Sequence, residues 1–134
     1  MTLDRHRKQT LADPDAERAV LASVILTGGH PNTMLGRLRD LGVDETTFAD
    51  PRHGTIWQAF VSLDTRGCPI DLITLPHELR EVERLNTVGG AQYLGEITDY
   101  LPALAHAEAH SELVLDSARV RLAVDVTTEM FTTL

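Results

Sequence analysis

The sequence predicts an all-α fold, a compact helical head followed by one long helix that forms the first arm of a helical hairpin. Three observations carry this expectation. Apolar residues recur at three-and-four spacing, the period of a helix face rather than of a strand. Proline and glycine fall where helices would start and stop. Residues 103–134 contain neither glycine nor proline, so nothing interrupts a helix there.

Residues 1–12 form an N-terminal tail whose cluster Arg5-His6-Arg7-Lys8 reads as a solvated terminus. The head spans 13–102. It opens with Asp13-Pro14, an N-cap side chain followed by proline at the first helical position, where the missing N–H costs nothing. The first helix is predicted over 14–26, with Val20, Leu21, Val24 and Ile25 on its buried face, and Gly28-Gly29 stops it. His30-Pro31 marks the next start, and a second helix over 32–41 buries Met34, Leu35, Leu38 and Leu41 before Gly42. A short turn follows at 45–48.

Asp50-Pro51 repeats the cap-and-proline signal. The third helix, 51–66, carries the broad apolar face Ile56, Trp57, Phe60, Val61 and Leu63, and Gly67 closes it. Residues 69–73 read as extended. Pro76 would break a helix begun at Asp71, so the fourth helix starts near Thr74, with Leu75, Leu79 and Val82 on one side. Its Glu78, Glu81 and Glu83 are expected to face solvent. Gly89-Gly90 opens a fifth helix bearing Tyr93, Leu94, Ile97 and Leu101.

The long helix, 103–134, has its own pattern. Positions 113, 117, 120, 124, 127, 131 and 134 alternate four and three apart, the seam by which one long helix packs on another. Leu113, Val120, Val124, Phe131 and Leu134 are the predicted self-association interface. Leu115, Ala118, Leu122, Val126 and Met130 widen the apolar face beyond what one neighbour covers. A helix this long cannot bury its far end on a compact head, so it calls for a partner chain or a hairpin mate. The absence of a capping signal at Leu134 suggests a cut inside a helix or just past one.

Composition bounds the function. At 134 residues and 43% hydrophobic, the chain suffices for one domain with its own core. The most apolar stretch, 19–26, is far shorter than the roughly 20 residues that span a bilayer. A signal peptide is not expected, because that stretch follows acidic residues and lacks a basic flank. The single cysteine, Cys68, fits a reducing compartment. A cytoplasmic protein without membrane partners is expected. The net charge of −8 argues against strong nucleic-acid binding, which draws its affinity from Lys and Arg on phosphates.

No chemistry stands out. A phosphate-binding loop needs a Gly-Lys pair, and the single lysine is Lys8. His106 and His110 have the spacing of paired metal ligands. Glu108 is misplaced for that motif and no third ligand is nearby, so they read as exposed helix histidines. His53, just inside a capped helix, reads as buried and hydrogen-bonded rather than catalytic, since no nucleophile accompanies it. Cys68 reads as a packing residue. Asp13, Asp15 and Glu17 complement the dipole of the first helix. No catalytic, cofactor-binding or metal residue is assigned.

Four blocks taken together are more specific. They are Asp15-Ala16-Glu17-Arg18-Ala19-Val20-Leu21, the run from Phe48 to Phe60, Pro69-Ile70-Asp71 through Thr74-Leu75 to Leu79, and Val88-Gly89-Gly90 with Tyr93-Leu94. In this order and spacing they resemble the N-terminal domain of DnaB-type replicative DNA helicases, over roughly 11–122. Ala22 departs from a common glycine, and His106 and His110 from a common Asn and Tyr, which affects how the chain enters the long helix.

The resemblance implies a helical head and hairpin that pair protomers into dimers. A trimer of dimers then forms a collar where primase or a helicase loader engages. It implies no cofactor in this chain. ATP and Mg would belong to a motor domain further along, making this the N-terminal fragment of a larger helicase. Two other roles fit the same likeness: a free-standing adaptor or inhibitor that mimics the collar, and the helicase-binding domain of a primase.

Overall fold

The computed structural model describes residues 13–27, 34–99 and 107–132, with side chains of the last span described for 109–123. All regular structure among these residues is helical. The order is α1 (Pro14–Thr27), α2 (Met34–Asp40), a 3₁₀ turn (Glu45–Thr47), α3 (Pro51–Thr65), α4 (Thr74–Glu81), α5 (Gly90–Thr98) and α6 (Ala107–Thr132). The starts expected at 28–33 and 100–106, with Leu101, lie outside the described residues.

Aspartates begin α1, the 3₁₀ turn, α3 and the turn into α4. Asp13 Oδ1 accepts the Ala16 N–H at 3.1 Å, and the Asp50 carboxylate accepts the Arg52 N–H at 2.9 Å, with Pro51 in the first turn. Asp44 and Thr47 form a reciprocal capping box around the 3₁₀ turn. Asp71 supplies a cap that the sequence reading did not assign: its Oδ1 accepts Ile73 N–H at 2.8 Å and Thr74 N–H at 2.7 Å. The extended reading of 69–73 therefore fails after Ile70, where the capped turn takes over.

Helix α1 is the centre of the head. Val20, Leu21, Ala22, Ser23 and Val24 are fully buried, because α1 is covered by α2, α3, α5 and α6. A helix enclosed on several sides is apolar nearly all round. The Ala22 methyl, where the resemblance favours glycine, fits that packing. Ile56, Trp57, Phe60 and Leu79 share one core, as expected, with Phe48 against Trp57 at a centroid distance of 5.7 Å.

Around α2 and α4, three positions depart from expectation. Leu41 is 40% exposed because α2 ends at Asp40 and Gly42, at φ +101°, turns the chain away. Val82 is 54% exposed, since α4 stops at Glu81 and Val82 is its C-cap residue. Glu78, expected in solvent, is buried. It accepts the Ser62 hydroxyl at 2.7 Å and pairs with Arg66, so α3 and α4 are joined by a polar clasp.

Candidate interaction site

Helix α6 is two-faced. Its 26 residues make a rod about 39 Å long at 1.5 Å per residue. Ser111, Val114 and Leu115 are buried, on the side packed against α1. The Arg121 guanidinium donates to the Thr47 carbonyl at 2.8 Å, pinning α6 to the 3₁₀ turn. Leu113, Val120 and Leu122 are exposed, at 51%, 49% and 65%. An open groove of about 350 Å³ separates α6 from the 3₁₀ turn; Leu41, Leu115, Ala118 and Leu122 supply its apolar lining.

Leu113 and Val120, two of the five predicted interface residues, therefore stand on the uncovered side of α6. The Val124 and Phe131 side chains, and all of Leu134, lie outside the described residues. Of the flanking positions, Leu122 is exposed as the widened seam requires. Leu115 is instead turned into the head, because the side of α6 that meets α1 runs through Ser111, Val114 and Leu115.

The conspicuous chemistry lies inside the head. Glu17, 1% exposed, accepts the Ala49 N–H at 2.8 Å, the Asp50 N–H at 3.3 Å and a hydrogen bond from His53 Nδ1 at 2.7 Å. His53 is fully buried, and its Nε2 lies 2.6 Å from the Tyr93 hydroxyl. With Nδ1 donating to Glu17, Nε2 accepts from Tyr93, which fixes the tautomer. Arg52 covers the Tyr93 ring at 4.2 Å and grips Asp50 at 2.8 Å. Asp50 is thereby held below the usual aspartate range, first by its Arg52 hydrogen bond.

An acid, an imidazole and a hydroxyl in series resemble a relay. Here each polar atom is spent on an internal partner, and the chain ties α1, the start of α3 and α5 together. The structure thus bears out His53 as a buried, hydrogen-bonded residue. It corrects Glu17, which does more than complement a dipole: it satisfies two backbone donors ahead of α3. That role has no local sequence signal, because the partners lie 32 to 36 residues away.

Other polar candidates do not converge. Among the described residues no three His, Cys, Asp or Glu side chains are grouped to hold a metal ion. His106 lies outside the described residues, and His110 is half-buried rather than exposed. Cys68 is partly buried against the core, as expected of packing. No helix among the described residues is long and apolar enough to cross a membrane.

The family model described as the DnaB-like helicase N-terminal domain matches residues 9–116. Replicative DNA helicase DnaB of Treponema pallidum is 35% identical over 107 residues, 80% of this chain and 23% of that protein. The same-named protein of Geobacillus stearothermophilus is 30% identical over 116 residues, 87% of this chain and 24% of its own length. The crystal structure of the N-terminal domain of DnaB helicase from Mycobacterium tuberculosis superposes with a TM-score of 0.83 at 27% identity. That match covers 92% of this chain and 86% of the other. The chain spans about a quarter of the length of these curated relatives.

Proposed function

The chain belongs to the DnaB-like helicase N-terminal domain family, and from that premise we propose that it serves as the collar of a replicative DNA helicase. In this reading α6 joins protomers into dimers, which assemble further as a trimer of dimers, and the head is offered to a primase or a helicase loader in the cytoplasm. The role is mechanical. No residue of this chain is given a chemical step, and ATP and Mg are left to a motor domain beyond it.

The observation that supports this reading is the two-faced α6. Burying apolar surface is worth about 25 cal/mol per Å², and a contiguous exposed apolar stripe marks an interaction surface. Leu113 and Val120 stand seven residues apart on the exposed side of a helix whose opposite side is already anchored to the head. The test is the solution mass of the purified chain by light scattering. The unmodified chain is expected to associate, and Leu113→Glu with Val120→Glu to shift it to monomer while leaving the head folded. A strictly monomeric parent chain, or an assembly unchanged by the two charges, rules out association through α6.

A further inference from the structure

We propose that a second groove, formed by the end of α3, the turn before α4 and α4 itself, docks a short acidic amphipathic segment of a partner protein. This groove is open, with a volume of about 570 Å³. Its apolar lining is Leu63, Pro76 and half-buried Cys68, with Ile73 at the lip, 82% exposed. The rest of its wall is polar: Arg66, Arg80, His77 and Thr74 line it, and no carboxylate does. On a chain of net charge −8, Arg66 and Arg80 bring positive charge to this wall.

The charges have unequal freedom. Arg66 is paired with Glu78, and His77 lies 3.8 Å from Glu81. The Arg80 side chain has no hydrogen bond or ion pair to any described residue. Asp71 is the nearest carboxylate in sequence to the lip, and its Oδ1 is taken up by the Ile73 and Thr74 N–H groups. A segment carrying Asp or Glu beside an apolar anchor finds complementary charge here, and a basic segment is repelled.

Ile73 is also held in place. Thr74 Oγ1 accepts the Asp71 N–H at 3.0 Å and donates to the Pro69 carbonyl at 2.8 Å. Together with the Asp71 cap, this box fixes the turn that projects Ile73 and the half-exposed Leu72. A single exposed aliphatic residue is ordinary. A rigid one at the mouth of an apolar groove loses little entropy on binding, which favours it as an anchor. A groove of this volume suits the few side chains of a peptide-like segment, whereas stable copies of a chain bury roughly 1,600 Å² in extended faces.

The inference rests on the docking role proposed above but not on self-association through α6. Its test is an amide-shift titration of the full chain with a synthetic helical peptide bearing Leu at i, i+3, i+4 and i+7 and Glu elsewhere. The Lys counterpart of that peptide is the control. Saturable shifts are expected at residues 63–80 with the Glu peptide and not with the Lys peptide. Ile73→Asp should weaken binding about tenfold or more and Arg80→Glu several-fold. Both side chains are exposed, so thermal unfolding of the variants should match the parent.

Shifts mapping elsewhere, equal affinity for the Lys peptide, or an Ile73→Asp chain that binds normally would overturn the proposal. So would shifts at 63–80 on raising the chain's own concentration without peptide, which would assign the groove to a second copy. The Leu113→Glu, Val120→Glu chain should bind the Glu peptide as the parent does. If α6 proves not to associate while the groove still saturates, the collar reading loses its interface and the groove keeps its ligand.

Discussion

Glu17 is the residue on which the head turns. A carboxylate with two backbone donors and an imidazole on it is stable in the interior only as a complete set, because removing one member leaves the others buried and unpaired. Glu17→Ala is therefore expected to cost about 3 kcal/mol or more in urea unfolding, comparable to breaking a buried pair from one side. A loss below about 1 kcal/mol, the worth of one ordinary hydrogen bond, would show that water replaces the carboxylate. Trp57, 1% exposed, should lose about 3–5 kcal/mol on truncation to Ala. An unchanged melting temperature for Trp57→Ala would remove that face of α3 from the core. The capping aspartates set the acid limb. Asp50 is held below the usual value of 3.8 first by the Arg52 side chain, and Asp71 first by the Thr74 N–H. A depressed folded pKa stabilises the head fully above the unfolded value, and that stability is lost as pH falls through it towards the folded value. Unfolding free energy should thus be level above about pH 5 and decline below about pH 4. Asp71→Asn should flatten part of that decline, and a slope unchanged in the variant would mean that Asp71 titrates alike folded and unfolded.

At the scale of elements, the helix starts were legible because their signals are local. Asp13-Pro14 and Asp50-Pro51 cap within three residues, and the glycine after α3 sits in the left-handed region at φ +71°, where only glycine is unstrained. What the sequence hid was long-range. Glu78 is on a polar-looking flank of α4, yet Ser62 and Arg66 on α3 draw it inward. Leu115 sits in a stretch of α6 that is apolar on more than one side, so periodicity alone could not say which side the head takes. Close approach is equally invisible: a Cβ on Gly54 would lie 2.8 Å from the Glu45 carbonyl oxygen, because α3 packs directly on the 3₁₀ turn. Gly54→Ala should destabilise the chain. The gain of about 1 kcal/mol in helix propensity is outweighed by overpacking against rigid backbone, typically 1–3 kcal/mol and more where nothing can move. A raised melting temperature would show that the turn yields. The two sides of α6 can be separated by the same measurement. Val114→Ala, at 1% exposure, should cost at least about 1 kcal/mol by lost burial and cavity formation. Leu113→Ala, on the uncovered side, should leave unfolding of the monomer within about 0.5 kcal/mol of the parent. Equal losses would mean that the head grips both sides.

For the whole molecule, charge and topology point the same way. Helices stacked around α1 enclose a core filled by side chains, and the buried Glu17 and His53 and the partly buried Tyr93 are hydrogen-bonded in series there. The family match covers residues 9–116. Nucleotide chemistry needs a loop that cradles phosphates and a lysine to reach them, and the single lysine, Lys8, follows Arg7, so the sequence has no Gly-Lys pair. DNA binding needs phosphates neutralised by cations, and the net charge of −8 opposes approach to a polyanion at any distance within the Debye length of about 8 Å at physiological salt. The purified chain should therefore turn over no ATP above a contaminant control. It should bind duplex or single-stranded DNA no more tightly than about 10⁻⁴ M at physiological salt, the weak end of non-specific association. Lowering the salt separates the two sources of any residual binding. Contact through Arg5, Arg7 and Lys8 alone should strengthen with a log–log slope of only about two to three, one for each phosphate neutralised, and should vanish when those three are changed to Gln. Micromolar binding, or a steeper slope that survives the triple change, would place a nucleic-acid surface on the head and contradict the reading of this chain as a protein-docking scaffold.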